Sequence, residues 1–132
     1  MKPTLKNNKG NMLVLVCVAL PVFIGIAGIC LDGSLAIYYQ TKLMAATKFA
    51  AISASSHNYV VSGKTVINAT QDQAEAALKE NFGVAKLRSF SINQSSKNKC
   101  TLVAETEVNF VFVKIFGVNS KKISESYTVT RK

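Results

Sequence analysis

The chain has 132 residues, the size of one domain with at most a short additional element. It carries 16 Lys and Arg against 7 Asp and Glu, a formal charge of +9. Its mean hydropathy of +0.21 is high for a small soluble protein, and its apolar content excludes a disordered tail. One His, three Cys and no Trp leave few side chains for chemistry, so we expect no enzymatic activity, no metal and no cofactor.

A single apolar segment dominates the first third of the sequence. No charged residue occurs between Lys9 and Asp32. A helix over residues 11–31 is about 31 Å long, close to the roughly 30 Å of a bilayer core. Because a short basic segment before a span tends to stay cytoplasmic, residues 1–10 are interpreted as a cytoplasmic leader. Pro21 removes one helical hydrogen bond and is expected to kink the span.

Three other interpretations of this segment stay open. A cleaved secretory signal has an apolar core of about 7–15 residues and an Ala-x-Ala-like site, and this run is longer and has no clean site. A lipoprotein signal would place a small residue before the Cys, whereas Ile29 precedes Cys30. A plain anchor with an unrelated outer domain is the third, although it does not explain the helical pattern that follows.

Apolar residues continue at helical spacing beyond the span. They are Leu35, Tyr39, Leu43, Ala46 and Ala50. Polar residues are expected on the opposite side: Gln40, Thr41, Thr47, Lys48 and Ser55. The pattern predicts one continuous helix from about residue 12 to about residue 55, with residues 32–56 as an amphipathic continuation of the span.

Residues 57–132 are predicted to form an α+β head. Residues 59–67 are a small hairpin or a loop, and a helix with a capping box begins after Thr70. Strict alternation from residue 100 to residue 113 predicts a half-buried strand, with further strands near 89–94 and 123–130. The predicted fold class is α+β: a long N-terminal helix, transmembrane and then amphipathic, packed on a small antiparallel sheet with one additional helix.

Several short segments occur in a characteristic order along residues 9–54. They are Lys9-Gly10-Asn11, Leu20-Pro21, Ala27-Gly28, Leu31-Asp32-Gly33, Tyr38, Leu43, Ala45-Ala46 and Ala50-Ala51. In this order the chain resembles the TadE/TadG-like family of pilin-like membrane subunits. That family belongs to the bacterial tight-adherence (Flp, Tad) pilus machinery, which is related to type IV pili and type II secretion.

The resemblance implies a minor pilin-like or pseudopilin-like structural subunit of the bacterial inner membrane, with its head outside. Its partners would be the membrane, other pilin-like subunits, pilus platform proteins and a prepilin peptidase that cuts between Gly10 and Asn11. Leu15 stands where related chains commonly have Glu, whereas Asp32 matches an Asp of TadG-like members. The alternative function is a single-span, membrane-anchored binding module for a wall polymer or DNA.

Individual residues have competing interpretations. Gly25 and Gly28 would allow neighbouring helices to approach closely in the membrane. Asp32 either pairs with a cation of a neighbouring subunit or is solvated at the membrane boundary. Cys100 is either a buried apolar residue or an intermolecular thiol. The basic residues of the head have no aromatic platform or nucleic-acid motif beside them, which argues against nucleic-acid binding.

Overall fold

The longest element of the fold is a helix of 49 residues, α1 (Asn8–Ser56). At about 1.5 Å per residue it is about 73 Å long. Residues on both sides of Pro21 are helical, and the helix passes through Gly33 and Ser34, whose hydroxyl donates to the Cys30 carbonyl at 2.8 Å. The predicted unbroken helix is therefore confirmed.

The computed structural model describes residues 8–93, 95 and 98–131. The first seven leader residues, including Lys2 and Lys6, lie outside the described residues, as do positions 94, 96, 97 and 132. Lys97 and Lys132, two basic residues of the head, are therefore among the residues that the structure does not describe.

The head contains one further α-helix and two antiparallel sheets. In chain order its elements are β1 (Asn58–Val61), β2 (Lys64–Ile67), α2 (Gln71–Asn81), β3 (Lys86–Ile92), β4 (Lys99–Asn109) and β5 (Ser120–Thr130). Strands β1 and β2 form a hairpin, and the other three form a sheet in the order β3-β4-β5. This confirms the predicted α+β fold class.

Helix α2 begins with the capping box expected from its sequence. The Thr70 hydroxyl accepts the Gln73 backbone N–H at 3.3 Å, and the Gln73 side chain accepts the Thr70 N–H at 3.0 Å. These two bonds satisfy N–H groups that a helix start would otherwise leave unpaired. The helix ends at Asn81, two residues before Gly83.

The core lies between the outer half of α1, one face of the sheet and α2. Strand β4 alternates as predicted, and its buried residues are Cys100, Leu102, Ala104, Thr106 and Val108. The residues of α1 in the same core are Leu43, Ala46, Ala50, Ala51 and Ala54. The run of Ala side chains lets the helix lie close to the sheet, and Ala74 and Leu78 of α2 complete the core.

Contacts at three heights fix the direction of the sheet along α1. Residues 111–113 bond to Asp32, the Gln40 amide donates to the Glu125 carboxylate at 3.1 Å, and Arg131 donates to the Ser55 hydroxyl at 3.1 Å. In these three contacts the residue numbers on α1 and on the loop and β5 increase together, so β5 runs in the same direction as α1. The β4–β5 loop (residues 110–119) is therefore the part of the sheet nearest the apolar half of the helix.

Three side chains of α1 differ from the predicted helix faces. Leu35, expected on the packed face, is 41% exposed, because the packed face runs through Asp32, the half-buried Ala36 and Tyr39. Thr47 and Ser55, expected on the polar face, are buried. Their hydroxyls donate to the helix's own carbonyls at 2.6 and 2.8 Å, so burial leaves neither donor unpaired.

Candidate functional site

The first half of α1 has no cover from the rest of the described chain except at Gly28, near its end. Nearly every large apolar side chain from Met12 to Leu31 is exposed, and Phe23 is 70% exposed. The free Cys17 and Cys30 are exposed on the same segment. The helix is long and apolar enough to cross a membrane. The bare segment ends where the β4–β5 loop meets α1.

The Asp32 carboxylate joins the helix to that loop. Its Oδ1 accepts the Val111 N–H at 3.1 Å, and its Oδ2 accepts the N–H groups of Phe112 and Val113, each at 2.7 Å. Asp32 is 1% exposed. Consecutive backbone N–H groups that converge on one anion form a strong binding concavity. Asp32 is thus neither solvated nor paired with a side-chain cation in the part of the chain described.

Burial raises the pKa of Asp32, since it disfavours the charged form, but the three backbone N–H bonds oppose it and the net pKa is lowered. The carboxylate therefore stays ionised at neutral pH while it is covered by the chain's own backbone. Two consequences follow. The loop is held on the helix, and the solvent-facing or lipid-facing surface of α1 carries no charge at the level of Asp32.

The same bonds explain why β4 is shorter than predicted. Alternation in the sequence continues to Val113, but β4 ends at Asn109 because the N–H groups of residues 111–113 leave the sheet for Asp32. The loop closes through the Phe110 N–H, which donates to the Asn119 carbonyl at 2.9 Å. It contains a 3-10 helix (Val113–Phe116) that Gly117 ends with a positive φ of 89°.

Gly28 lies one helical turn before Asp32 and contacts the same loop. A Cβ added at Gly28 would lie 2.5 Å from Cγ and 3.0 Å from Cβ of Phe112. The near end of the Phe112 side chain, rather than its flexible tip, occupies that space. The absence of a Cβ at Gly28 therefore allows the loop to dock, and its predicted role in the close approach of neighbouring subunits stays a prediction.

Gly28→Ala is expected to destabilise the head, because the loop must move away from α1. Overpacking of this kind typically costs about 1–3 kcal/mol. The matched control is Gly25→Ala, since nothing lies within 4 Å of a Cβ at Gly25 and both substitutions raise helix propensity equally. Thermal unfolding of the full chain in detergent measures both. Equal melting temperatures for the two variants would contradict the assignment, and Phe112→Ala should rescue Gly28→Ala.

The remaining residues singled out in the sequence lie along the same helix. Gly10 and Asn11 are exposed in its first turns, and Pro21 lies inside the bare segment. Tyr39 is half-buried with its ring centroid 5.8 Å from that of Phe82. Leu43, Ala46 and Ala50 are buried against the sheet. The structure therefore divides these residues between a bare inner half and a packed outer half.

The charged and thiol groups of the head are not arranged as a metal site among the described residues. No group of three His, Cys, Asp or Glu side chains there is placed to hold a metal ion. Cys100 is fully buried, and burial raises the pKa of its thiol, as expected for a small apolar residue. Arg131 is half-buried and donates to Ser55, whereas Lys86, Arg88 and Lys99 are exposed.

Fold and junction together define a class of protein: a small α+β head fixed by a covered carboxylate to the outer half of a helix whose inner half is bare and apolar. No family model, no curated protein and no solved structure matches the chain. Function is therefore inferred from the geometry of α1 and its junction with the head.

Proposed function

We propose that the chain is a minor pilin-like or pseudopilin-like structural subunit that takes part in assembly or anchoring of a Flp/Tad-type pilus or secretion fibre. Residues 11–31 hold it in the bacterial inner membrane, with the basic leader cytoplasmic and the head outside. The resemblance of residues 9–54 to TadE/TadG-like subunits supports this proposal. The observation that carries it is the single helix that runs without a break from the bare apolar half into the core of the head.

Such a subunit acts by packing, and needs no catalytic group. Parallel helices with bare apolar surfaces associate side by side, either within the bilayer or in a fibre drawn from it. Gly25 offers a place for close approach, since nothing lies within 4 Å of its Cβ position. The Asp32 charge does not oppose this packing, because the chain's own loop covers it.

Gly25→Leu is expected to weaken association with the partner subunits while the head stays folded. The larger side chain fills the close-approach surface, and nothing within the subunit lies within 4 Å of the Cβ at which it begins. Co-purification of the tagged chain with the major pilin and the platform proteins measures association. Protection of the buried Cys100 from thiol reagents, in a Cys17→Ala, Cys30→Ala background, measures folding. Ile24→Leu is the control, because it keeps an exposed apolar side chain of similar size on the neighbouring position.

A deletion strain tests the proposal itself. Loss of piliation and recovery of the pilus proteins with the tagged chain would support it. Normal piliation without the chain, together with no co-purified pilus protein, would overturn it. The alternative of a membrane-anchored binding module rests on the exposed basic side chains of the head, and it predicts normal piliation in the same strain.

A further inference from the structure

The β4–β5 loop exposes a cluster of apolar side chains. Ile115 is 81% exposed and Phe116 is 72% exposed, and Val111 and Val118 are exposed beside them. Contiguous exposed apolar patches mark surfaces that bind another protein or a membrane. The loop has a defined conformation. It is held by the bonds to Asp32, by the packing of Phe112 on Gly28 and by the hydrogen bond between Phe110 and Asn119.

The position of the loop along α1 indicates which surroundings the exposed apolar side chains of the loop meet. Asp32 and Gly28, which hold the loop, belong to the last turns of the bare apolar segment. The patch therefore lies beside the end of the apolar segment that is proposed to cross the bilayer. Lys114 is exposed within the loop, and Lys121 and Lys122 are exposed at the start of β5.

The cover over Asp32 extends the uncharged part of the helix surface. Between Lys9 and Lys42 Asp32 is the single charged residue of the sequence, and its carboxylate is buried. The part of α1 without an exposed charge, residues 10–41, is about 48 Å long, which is longer than the roughly 30 Å of bilayer hydrocarbon. Tyr38 is exposed with the Lys42 ammonium 5.6 Å from its ring centroid, and Tyr and Lys are typical of the membrane interface.

We propose that the β4–β5 loop inserts Ile115 and Phe116 into the outer leaflet of the bilayer, as a second membrane contact beside the span. The partner of the loop is therefore lipid. The apolar side chains enter the boundary between the head groups and the acyl chains, and Lys114 reaches the anionic head groups. This two-point attachment fixes how the head is tilted on the membrane. The inference depends on residues 11–31 crossing a membrane, and not on assembly of a pilus.

The absence of Trp from the sequence makes the depth of single positions measurable. We compare three single-Trp variants of the full chain, Phe23→Trp in the span, Phe116→Trp in the loop and Tyr59→Trp in β1. Tyr59 lies beyond the end of α1 at Ser56, which is about 36 Å along the helix from Asp32. Each variant is reconstituted in phosphatidylcholine vesicles with and without phosphatidylglycerol, and quenched by lipids brominated on their acyl chains.

Quenching of Phe23→Trp and Phe116→Trp, with none of Tyr59→Trp, is the expected result. Shallow bromines should quench the loop position best, and phosphatidylglycerol should increase its quenching. If Phe116→Trp is unquenched while Phe23→Trp is quenched, the inference is overturned and the span stands. A blue shift of Phe116→Trp that grows with protein concentration but resists bromine would assign the patch to a second copy, and would also overturn it.

These outcomes are separable from the fate of the proposed function, because the vesicles contain no other pilus subunit. If Phe23→Trp itself is unquenched, the membrane span fails and the inference fails with it. Since Phe116 is exposed, its replacement by Trp in a Cys17→Ala, Cys30→Ala background should leave Cys100 protected from thiol reagents. That measurement confirms that each variant is folded.

Discussion

Leu43→Ala is expected to loosen the head from α1 more than any other single truncation on the helix. Leu43 is fully buried and belongs to the same core cluster as Leu78, Cys100 and Leu102. Its neighbours on the packed face are mostly Ala, so Leu43 supplies the largest helix side chain that is fully buried against the sheet. Truncation of a buried Leu to Ala typically costs about 2–5 kcal/mol, because a cavity remains.

The buried Cys100 provides the measurement. In a Cys17→Ala, Cys30→Ala background the chain keeps one thiol, which reacts only when the head opens. A loss of about 2–5 kcal/mol raises the open population, and so the labelling rate, by about 30-fold to 4,000-fold. Met44→Ala is the control, since the neighbouring Met44 is exposed. Equal labelling of Leu43→Ala and Met44→Ala would mean that α1 and the sheet do not share a core.

Local periodicity was enough to predict the elements of this fold. The helix of α1 follows from an uncharged run that joins an amphipathic pattern without a stop, and β4 follows from alternation that the buried face reproduces from Cys100 to Val108. The capping box at Thr70 and Gln73 involves residues three apart, and its bonds are present as expected. Each of these signals lies within one continuous segment of the chain, so no contact between distant segments is needed to recognise it.

The junction could not be predicted in the same way. Asp32 and its three N–H donors are about 80 residues apart in the sequence, and backbone donors leave no residue-type signature. The available signal was a lone acid at the end of a long apolar run, which requires some partner. Thr47 and Ser55 were assigned to the wrong face because hydropathy does not register hydroxyls that donate to their own helix. Leu35 was assigned to the wrong face because the packed face runs through the polar Asp32, which hydropathy places outside it.

One carboxylate thus has two effects on the molecule. It ends β4 and holds the β4–β5 loop against α1, and it removes its own charge from the surface that adjoins the bilayer. A side chain without charge at this position would satisfy the second requirement but not the first. An exposed acid would satisfy neither requirement, which gives a physical reason for an Asp that is buried against the loop at the end of this apolar helix.

Asp32→Ala is expected to release the β4–β5 loop, with Asp32→Asn intermediate. The Ala variant leaves three N–H donors without an acceptor near the membrane, where unpaired backbone groups are costly. In the Asn variant one oxygen is replaced by an amide nitrogen, so at least one of the three donors faces another donor. Hydrogen exchange of the full chain in detergent should show protection of the Val111, Phe112 and Val113 amides falling in the order wild type, Asp32→Asn, Asp32→Ala.

Asp72→Asn is the matched control, because the Asp72 side chain is exposed in the first turn of α2, whereas the N–H groups of residues 111–113 donate to Asp32. It should leave the protection of residues 111–113 unchanged. The wild-type chain should also lose stability relative to Asp32→Asn at low pH. Since the folded pKa of Asp32 lies below its ordinary value, the stabilisation is present above that ordinary value and is lost as pH falls through the folded pKa. A melting-temperature difference that does not change with pH, or unaltered exchange in Asp32→Ala, would show that the carboxylate does not hold the loop.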